Sequence, residues 1–249
     1  MEKHGARHNR PDGANRGLSA LTSTSIEQTL RAGLATLQLA LTNTQIQQLL
    51  DYQALIGKWT QVYNLTAVRD PAEMMTHHLL DSLAAVAPLQ RHLQQAGLAE
   101  HSRLLDVGSG AGLPGVVIAI CCPSVAVTCV DTVNKKATFI KQAALSLKLP
   151  NLTGLHARVE SLNPSTTQPF DVVCSRAFAS LVDFTQWSAN ARAPEGVWMA
   201  MKGKQPGDEL ALLPPTVEVF HVEQLHVPGL DAERCLLWLR PPHSMKAVS

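Results

Sequence analysis

A doubly wound, mostly parallel α/β sheet is predicted by three features of this 249-residue chain. From Arg103 onward, short apolar runs alternate with amphipathic helical stretches, the alternation that builds parallel strand–helix–strand units. The first of those runs, Leu104 to Val107, ends at a glycine-rich turn with a helix directly behind it, which is where such sheets bind nucleotides. Composition agrees: 45% of residues are apolar, 16% are charged, and mean hydropathy is +0.02, an ordinary globular balance with enough chain to bury a core.

Taken in order, the elements begin after a segment, residues 1–25, in which Lys3, Arg7, Arg10 and Arg16 stand among Gly, Asn, Pro and Ser. It offers little apolar surface to bury, so a disordered basic tail is expected, with an RNA-touching arm as the sharper alternative. The same stretch lacks the apolar run of a secretory signal, so a cytoplasmic protein is expected. Apolar residues at 26, 30, 34, 37 and 41 then predict a helix over 26–40. Thr42-Asn43-Thr44-Gln45 matches a capping box, and Ile46, Leu49, Leu50, Ile56, Trp59 and Val62 continue an amphipathic stripe. Asp70 can cap a third helix with Pro71 in its first position, and Met74, Met75, His78, Leu79, Leu83 and Val86 form its apolar face. These helices make a helical prelude over 26–90 within a single domain, 26–249.

The core follows over 100–240. Leu104–Val107, Val125–Val130, Leu152–Leu155, Phe170–Cys174 and Val197–Met201 read as strands, and Val133–Leu149 as a helix that stops before Pro150. Val217–Val227 and Arg234–Arg240 are joined by Pro228-Gly229-Leu230-Asp231 with no helix between them, which predicts an antiparallel C-terminal pair.

Charge and composition exclude several classes. Lys and Arg total 21 against 20 Asp and Glu, so bulk charge does not hold this chain to nucleic acid, although a local basic patch could. The longest apolar run, Leu113 to Cys122, is broken by Pro114 and Gly115 and is far short of the roughly 20 residues of a membrane span. Cys121, Cys122, Cys129, Cys174 and Cys235 form no C-x-x-C pair and read as buried reduced thiols. His77 and His78 have no ligand partners at useful spacing, so no metal is expected, and His78 reads as a core residue.

Asp106-Val107-Gly108-Ser109-Gly110-Ala111-Gly112-Leu113-Pro114-Gly115 is the informative stretch. Glycines let backbone take positive φ and approach a ligand, with a helix N-terminus behind. Gly110 to Gly115 satisfies the dinucleotide fingerprint G-x-G-x-x-G. Asp106-x-Gly108-x-Gly110-x-Gly112 is the competing frame, that of S-adenosylmethionine-dependent methyltransferases. A carboxylate at Asp106 suits the ammonium of a methionine moiety and would repel a pyrophosphate. Asp131, ending the second strand, can accept ribose hydroxyls in either frame. The residues favour the methyl donor, and an NAD-binding oxidoreductase stays open beside it.

Several segments resemble the ribosomal RNA small subunit methyltransferase G family, also called glucose-inhibited division protein B. They are Tyr63-Asn64-Leu65-Thr66-Ala67-Val68-Arg69-Asp70, His78 with Leu80-Asp81-Ser82, the glycine loop Leu105 to Gly115, and Ser175-Arg176-Ala177-Phe178-Ala179-Ser180. Met201-Lys202-Gly203 and Leu230-Asp231-x-Glu233-Arg234 extend the likeness, which covers roughly 26–240; Ser109 is the one visible departure. The resemblance implies a class I, Rossmann-like fold and methylation of guanine N7 in 16S ribosomal RNA, at guanine 527, with S-adenosylmethionine as donor. It implies cofactor contacts at Gly108, Leu113, Val159, Glu160 and Arg176, to which the loop reading adds Asp106, Gly110 and Asp131.

Guanine N7 carries a lone pair and no proton, so no general base is expected and no side chain is assigned a catalytic role; alignment of the reactants does the chemistry. Arg176, Phe178, Lys202 and Lys204 are the candidate RNA contacts: arginine at a strand's carboxyl end, an aromatic face for a base, and lysines for phosphate. The expected partner is 16S rRNA or the small ribosomal subunit, met by a monomer. A methyltransferase for another RNA, a small molecule or a protein, and a binding module without activity, are the remaining alternatives.

Overall fold

The computed structural model describes residues 13–242 apart from 166, 177 and 179, with side chains placed from Thr24 onward. The first helix, α1, runs Gly13–Thr36 and so begins well ahead of the expected start at Ile26. Residues 1–12 of the expected tail lie outside the described residues; at 13–25 the backbone is helical. The reason is cooperative: Leu30 and Leu34 are buried and anchor the helix, and each residue added to an existing helix gains a hydrogen bond without a new nucleus. The same helix stops short of Ala40 because Gln38 turns left-handed, at φ 56°.

Helix α2 (Asn43–Tyr63) starts on the capping box, with Gln45 N–H donating to Thr42 Oγ1 at 3.2 Å and Thr42 N–H to Gln45 Oε1 at 2.9 Å. Its buried face is Ile46, Leu49, Tyr52, Gln53, Ile56 and Thr60. Val62 is 70% exposed and leaves the predicted stripe. Six residues past Ile56 the helix has turned about 240° beyond one full circle, far off that face.

The third predicted helix is four pieces. α3 (Pro71–Met74) is capped by Asp70, whose Oδ1 accepts from the N–H groups of Ala72 and Glu73 at 2.9 and 3.0 Å. A π-helical segment, Met75–Leu80, follows, then α4 (Asp81–Leu83) and α5 (Val86–Gln95). All six residues of the predicted apolar face are buried, His78 among them. At Gly33 a Cβ would collide with the Leu80 side chain, so α1 lies directly on the π segment.

The sheet is β1 (Ser102–Val107), β2 (Val125–Asp131), β3 (Leu152–His156), β4 (Phe170–Ser175), β5 (Arg192–Lys202), β6 (Glu218–Gln224) and β7 (Cys235–Arg240), in the order β3-β2-β1-β4-β5-β7-β6. The first five strands of that order are parallel, while β7 runs antiparallel to β5 and β6 to β7. The expected antiparallel C-terminal pair is therefore present. Helices α6 (Gly115–Cys121) and α7 (Asn134–Ser146) cover one face with the prelude; α8 (Leu181–Ser188) covers the other, and α9 (Gly207–Ala211) follows β5. Leu49 and Ile56 of the prelude share one buried cluster with Val116 and Ile120 of α6. All five cysteines are free and buried. No helix among the described residues is long and apolar enough to cross a membrane.

Strand order reverses between β1 and β4, because the chain leaves β1 toward β2 on one side and returns to β4 on the other. In an open parallel sheet that reversal leaves a crevice outside the carboxyl ends of the strands.

Candidate functional site

At the carboxyl end of β1 the chain enters the glycine loop. Gly108 has φ 66°, and a Cβ built on it would face the open crevice, its nearest neighbour being Phe178 Cδ2 at 3.9 Å. Gly112, at φ 86°, is fixed by packing instead, since a Cβ would fall 2.5 Å from both Ile140 Cδ1 and Val116 Cγ2. The loop is braced from beneath by α2: the buried Tyr52 hydroxyl donates to the carbonyls of Ala111 and Gly112.

Asp131 closes β2. Its Oδ2 accepts the Gly110 N–H at 3.0 Å and its Oδ1 the Val133 N–H at 2.8 Å, with Lys136 Nζ 3.7 Å away. This carboxylate lines a cavity of about 370 Å³ at the ends of β1, β2 and β3. Gly108 and Val107 form one side, Val159 and Glu160 from the turn after β3 another. Phe178 and Trp187 close the third, 5.6 Å apart and edge to face. The size falls within the usual range for small-molecule sites, and the lining combines apolar walls with two carboxylates. A nucleoside fits those residues: an acid for ribose hydroxyls, apolar and aromatic surface for a flat base, and bare backbone at Gly108 for close approach.

Asp106 lies one residue before the end of β1. Its side chain is fully buried beneath the loop, where Oδ2 accepts the Gly115 N–H at 2.9 Å, and it does not reach the cavity. Burial pushes its carboxyl up to about 7, against the lowering effect of the Gly115 N–H. Through that bond Asp106 anchors the N-terminus of α6 and so holds the loop. Leu113 is likewise buried in the loop and Gly110 contributes only its N–H to Asp131.

A second cavity of about 320 Å³ opens at the ends of β4 and β5, against the π segment. Arg176 lines it and donates from Nη1 to the His77 carbonyl at 3.0 Å and to Asp81 Oδ2 at 3.1 Å. Arg234, just before β7, donates from Nε to Asp81 Oδ1 at 2.8 Å. Lys202 lines the same cavity with its Nζ held by both oxygens of Glu209, at 3.1 and 2.9 Å. His78 packs as a core residue with Nε2 2.7 Å from Thr66 Oγ1; burial and the Arg176 charge both hold its pKa below the ordinary histidine value. Ser175 Oγ donates to the Val107 carbonyl at 3.0 Å and ties the end of β4 to the end of β1, whose Val107 lines the first cavity.

The structure thus brings Gly108, Asp131, Val159, Glu160 and Phe178 to the first cavity and Arg176 and Lys202 to the second. Lys204 is exposed and lines neither. Phe178 stands in the nucleoside-sized cavity, packed 5.7 Å from Phe184. Sequence reasoning missed Trp187 and Lys136 in the first cavity and the joining of Asp81 to Arg234 in the second. Asp81 and Arg234 are 153 residues apart, so spacing carries no signal of their contact.

Comparison with known proteins agrees with this geometry. A family model described as rRNA small subunit methyltransferase G (GidB) matches residues 45–237. The chain is 77% identical over 214 residues to the ribosomal RNA small subunit methyltransferase G of Polaromonas sp. strain JS666, covering 86% of this chain and 93% of that one. It is 74% identical over 222 residues to its counterpart in Polaromonas naphthalenivorans strain CJ2, covering 89% and 99%. Among solved structures, magnesium protoporphyrin IX methyltransferase of Synechocystis PCC 6803, with bound S-adenosylmethionine, has a TM-score of 0.52 at 12% identity, over 76% of this chain and 97% of that one. At that identity the likeness is one of fold.

Proposed function

The chain belongs to the rRNA small subunit methyltransferase G family, and from that premise we propose that it methylates N7 of one guanine in 16S ribosomal RNA, with S-adenosylmethionine as donor. The observation that carries the reading is the pairing of two cavities at the switch point of the sheet, one shaped for a nucleoside and one lined by Arg176, Lys202 and Arg234. The family assignment also answers the oxidoreductase alternative that the glycine loop leaves open.

Bound in the first cavity, S-adenosylmethionine supplies a methyl group on positively charged sulfur. Asp131 is placed for the ribose hydroxyls, with Lys136 beside it; Val159, Phe178 and Trp187 provide the dry wall for the base. Arg176 lines the second cavity two residues before Phe178 of the first, and its guanidinium is assigned to either the donor's carboxylate or the RNA. The N7 lone pair forms the new bond to carbon as the carbon–sulfur bond breaks, the electron pair staying on sulfur. No proton moves, so the protein's task is alignment and exclusion of water.

The test is incubation with labelled donor and small subunits lacking the modification, followed by mapping of the label. Label at N7 of a single guanine is the expected result. Label on another atom, or none on RNA, contradicts the proposal.

A further inference from the structure

Asp81 is the best-connected carboxylate of the second cavity. It is 3% exposed, opens α4 at the end of the π segment, and gives one oxygen to each of two arginines, Arg176 and Arg234. Arg176 arrives from the end of β4, and the π segment adds a second acceptor for it through the His77 carbonyl at 3.0 Å. Arg234 arrives from the connection before β7 and keeps a further bond to the Glu233 carbonyl at 2.8 Å. Asp81 cannot serve as a general base for a nucleophile that carries no proton. Its position between two guanidiniums does suit another task.

We propose that the second cavity takes the target guanine and that Asp81 is a positioning residue for methyl transfer, fixing Arg176 and Arg234 as one wall of that cavity and neutralising one of their two charges. The inference rests on the methyl-transfer reading above. An arginine free to swing samples many rotamers; one held by a buried carboxylate meets its target with that freedom already removed. Charge matters as well. The positive charge passes from sulfur to guanine as N7 takes the methyl group, so beside the guanine a wall of net charge +2 opposes that movement more than a wall of +1. Two guanidiniums against one carboxylate give the lower figure. Removing the carboxylate gives the higher one, and at the same time makes the cavity more attractive to RNA phosphate.

This predicts a split in the kinetics that loss of shape would not produce. With undermodified small subunits as substrate, Asp81→Asn is expected to lower kcat at least tenfold while KM for the subunit stays level or falls. Arg234→Gln keeps the Asp81–Arg176 pair, removes one of the two fixed guanidiniums of the wall, and is expected to lower kcat by a smaller factor. In the double variant the two losses are expected to be non-additive, the combined loss being well short of the product of the single losses. Wild-type kcat in Asp81→Asn, a raised KM with kcat unchanged, or losses that multiply in the double variant each overturn the inference and leave the methyl-transfer reading intact. A wild-type protein that transfers no methyl to subunits overturns both.

Discussion

Two side chains under the glycine loop do work that their sequence positions disguise. Tyr52 reads as one more core aromatic, yet its hydroxyl reaches two loop carbonyls from α2. Tyr52→Phe leaves the packing and removes the one hydrogen that both carbonyls share; a hydrogen bond is worth about 1 kcal/mol, so calorimetry should show donor binding weakened about threefold to tenfold with little change in fold. Asp106 is legible as the acid of the loop motif, but its burial is not, because nothing in the spacing says which way a strand-end side chain turns. Its folded pKa, at about 7, lies above the ordinary carboxylate value. The folded state therefore holds a proton that the unfolded chain releases. The stabilisation is complete below the unfolded pKa and is lost as pH rises through the folded one. Denaturant unfolding at several pH values should show stability falling between about pH 4 and pH 7, and Asp106→Asn should flatten that slope.

At the scale of elements, the sheet strands were readable because buried parallel strands are near-continuous apolar runs, as in Leu104–Val107 and Val125–Val130. The capping box at Thr42 and the cap at Asp70 were equally plain, since each rests on local hydrogen bonds that a few residues specify. The π segment was not. Its apolar face satisfies the helical period well enough to hide one widened turn, and its consequence, the His77 carbonyl meeting Arg176, depends on a strand 99 residues away. The glycine loop is the element on which both readings agree. Gly112→Ala places a methyl group against Ile140 and Val116 at positive φ, a strained conformation in a packed site. A cost of about 1–3 kcal/mol in unfolding free energy is expected, with donor affinity falling alongside.

Over the whole molecule, the prelude is part of the enzyme's core and not an appendage. Leu49, Tyr52 and Ile56 pack in the same cluster as α6 and α7, and the π segment supplies a wall of the cationic cavity. The two cavities differ in how visible they were. The nucleoside-sized one is built mostly from consecutive strand ends, which sequence order places together. The cationic one joins residues 77–81, 176, 202 and 234, and only folding brings these to one place. Everything proposed for the second cavity presumes that the first holds the donor. Titrating S-adenosylmethionine into the ligand-free protein by calorimetry tests this most directly, with Asp131→Asn and Trp187→Ala run beside the wild type. One site per chain, weakened about tenfold by either substitution, is the result predicted from a carboxylate on the ribose and an aromatic wall for the base. No heat of binding, or binding that neither substitution alters, would contradict it.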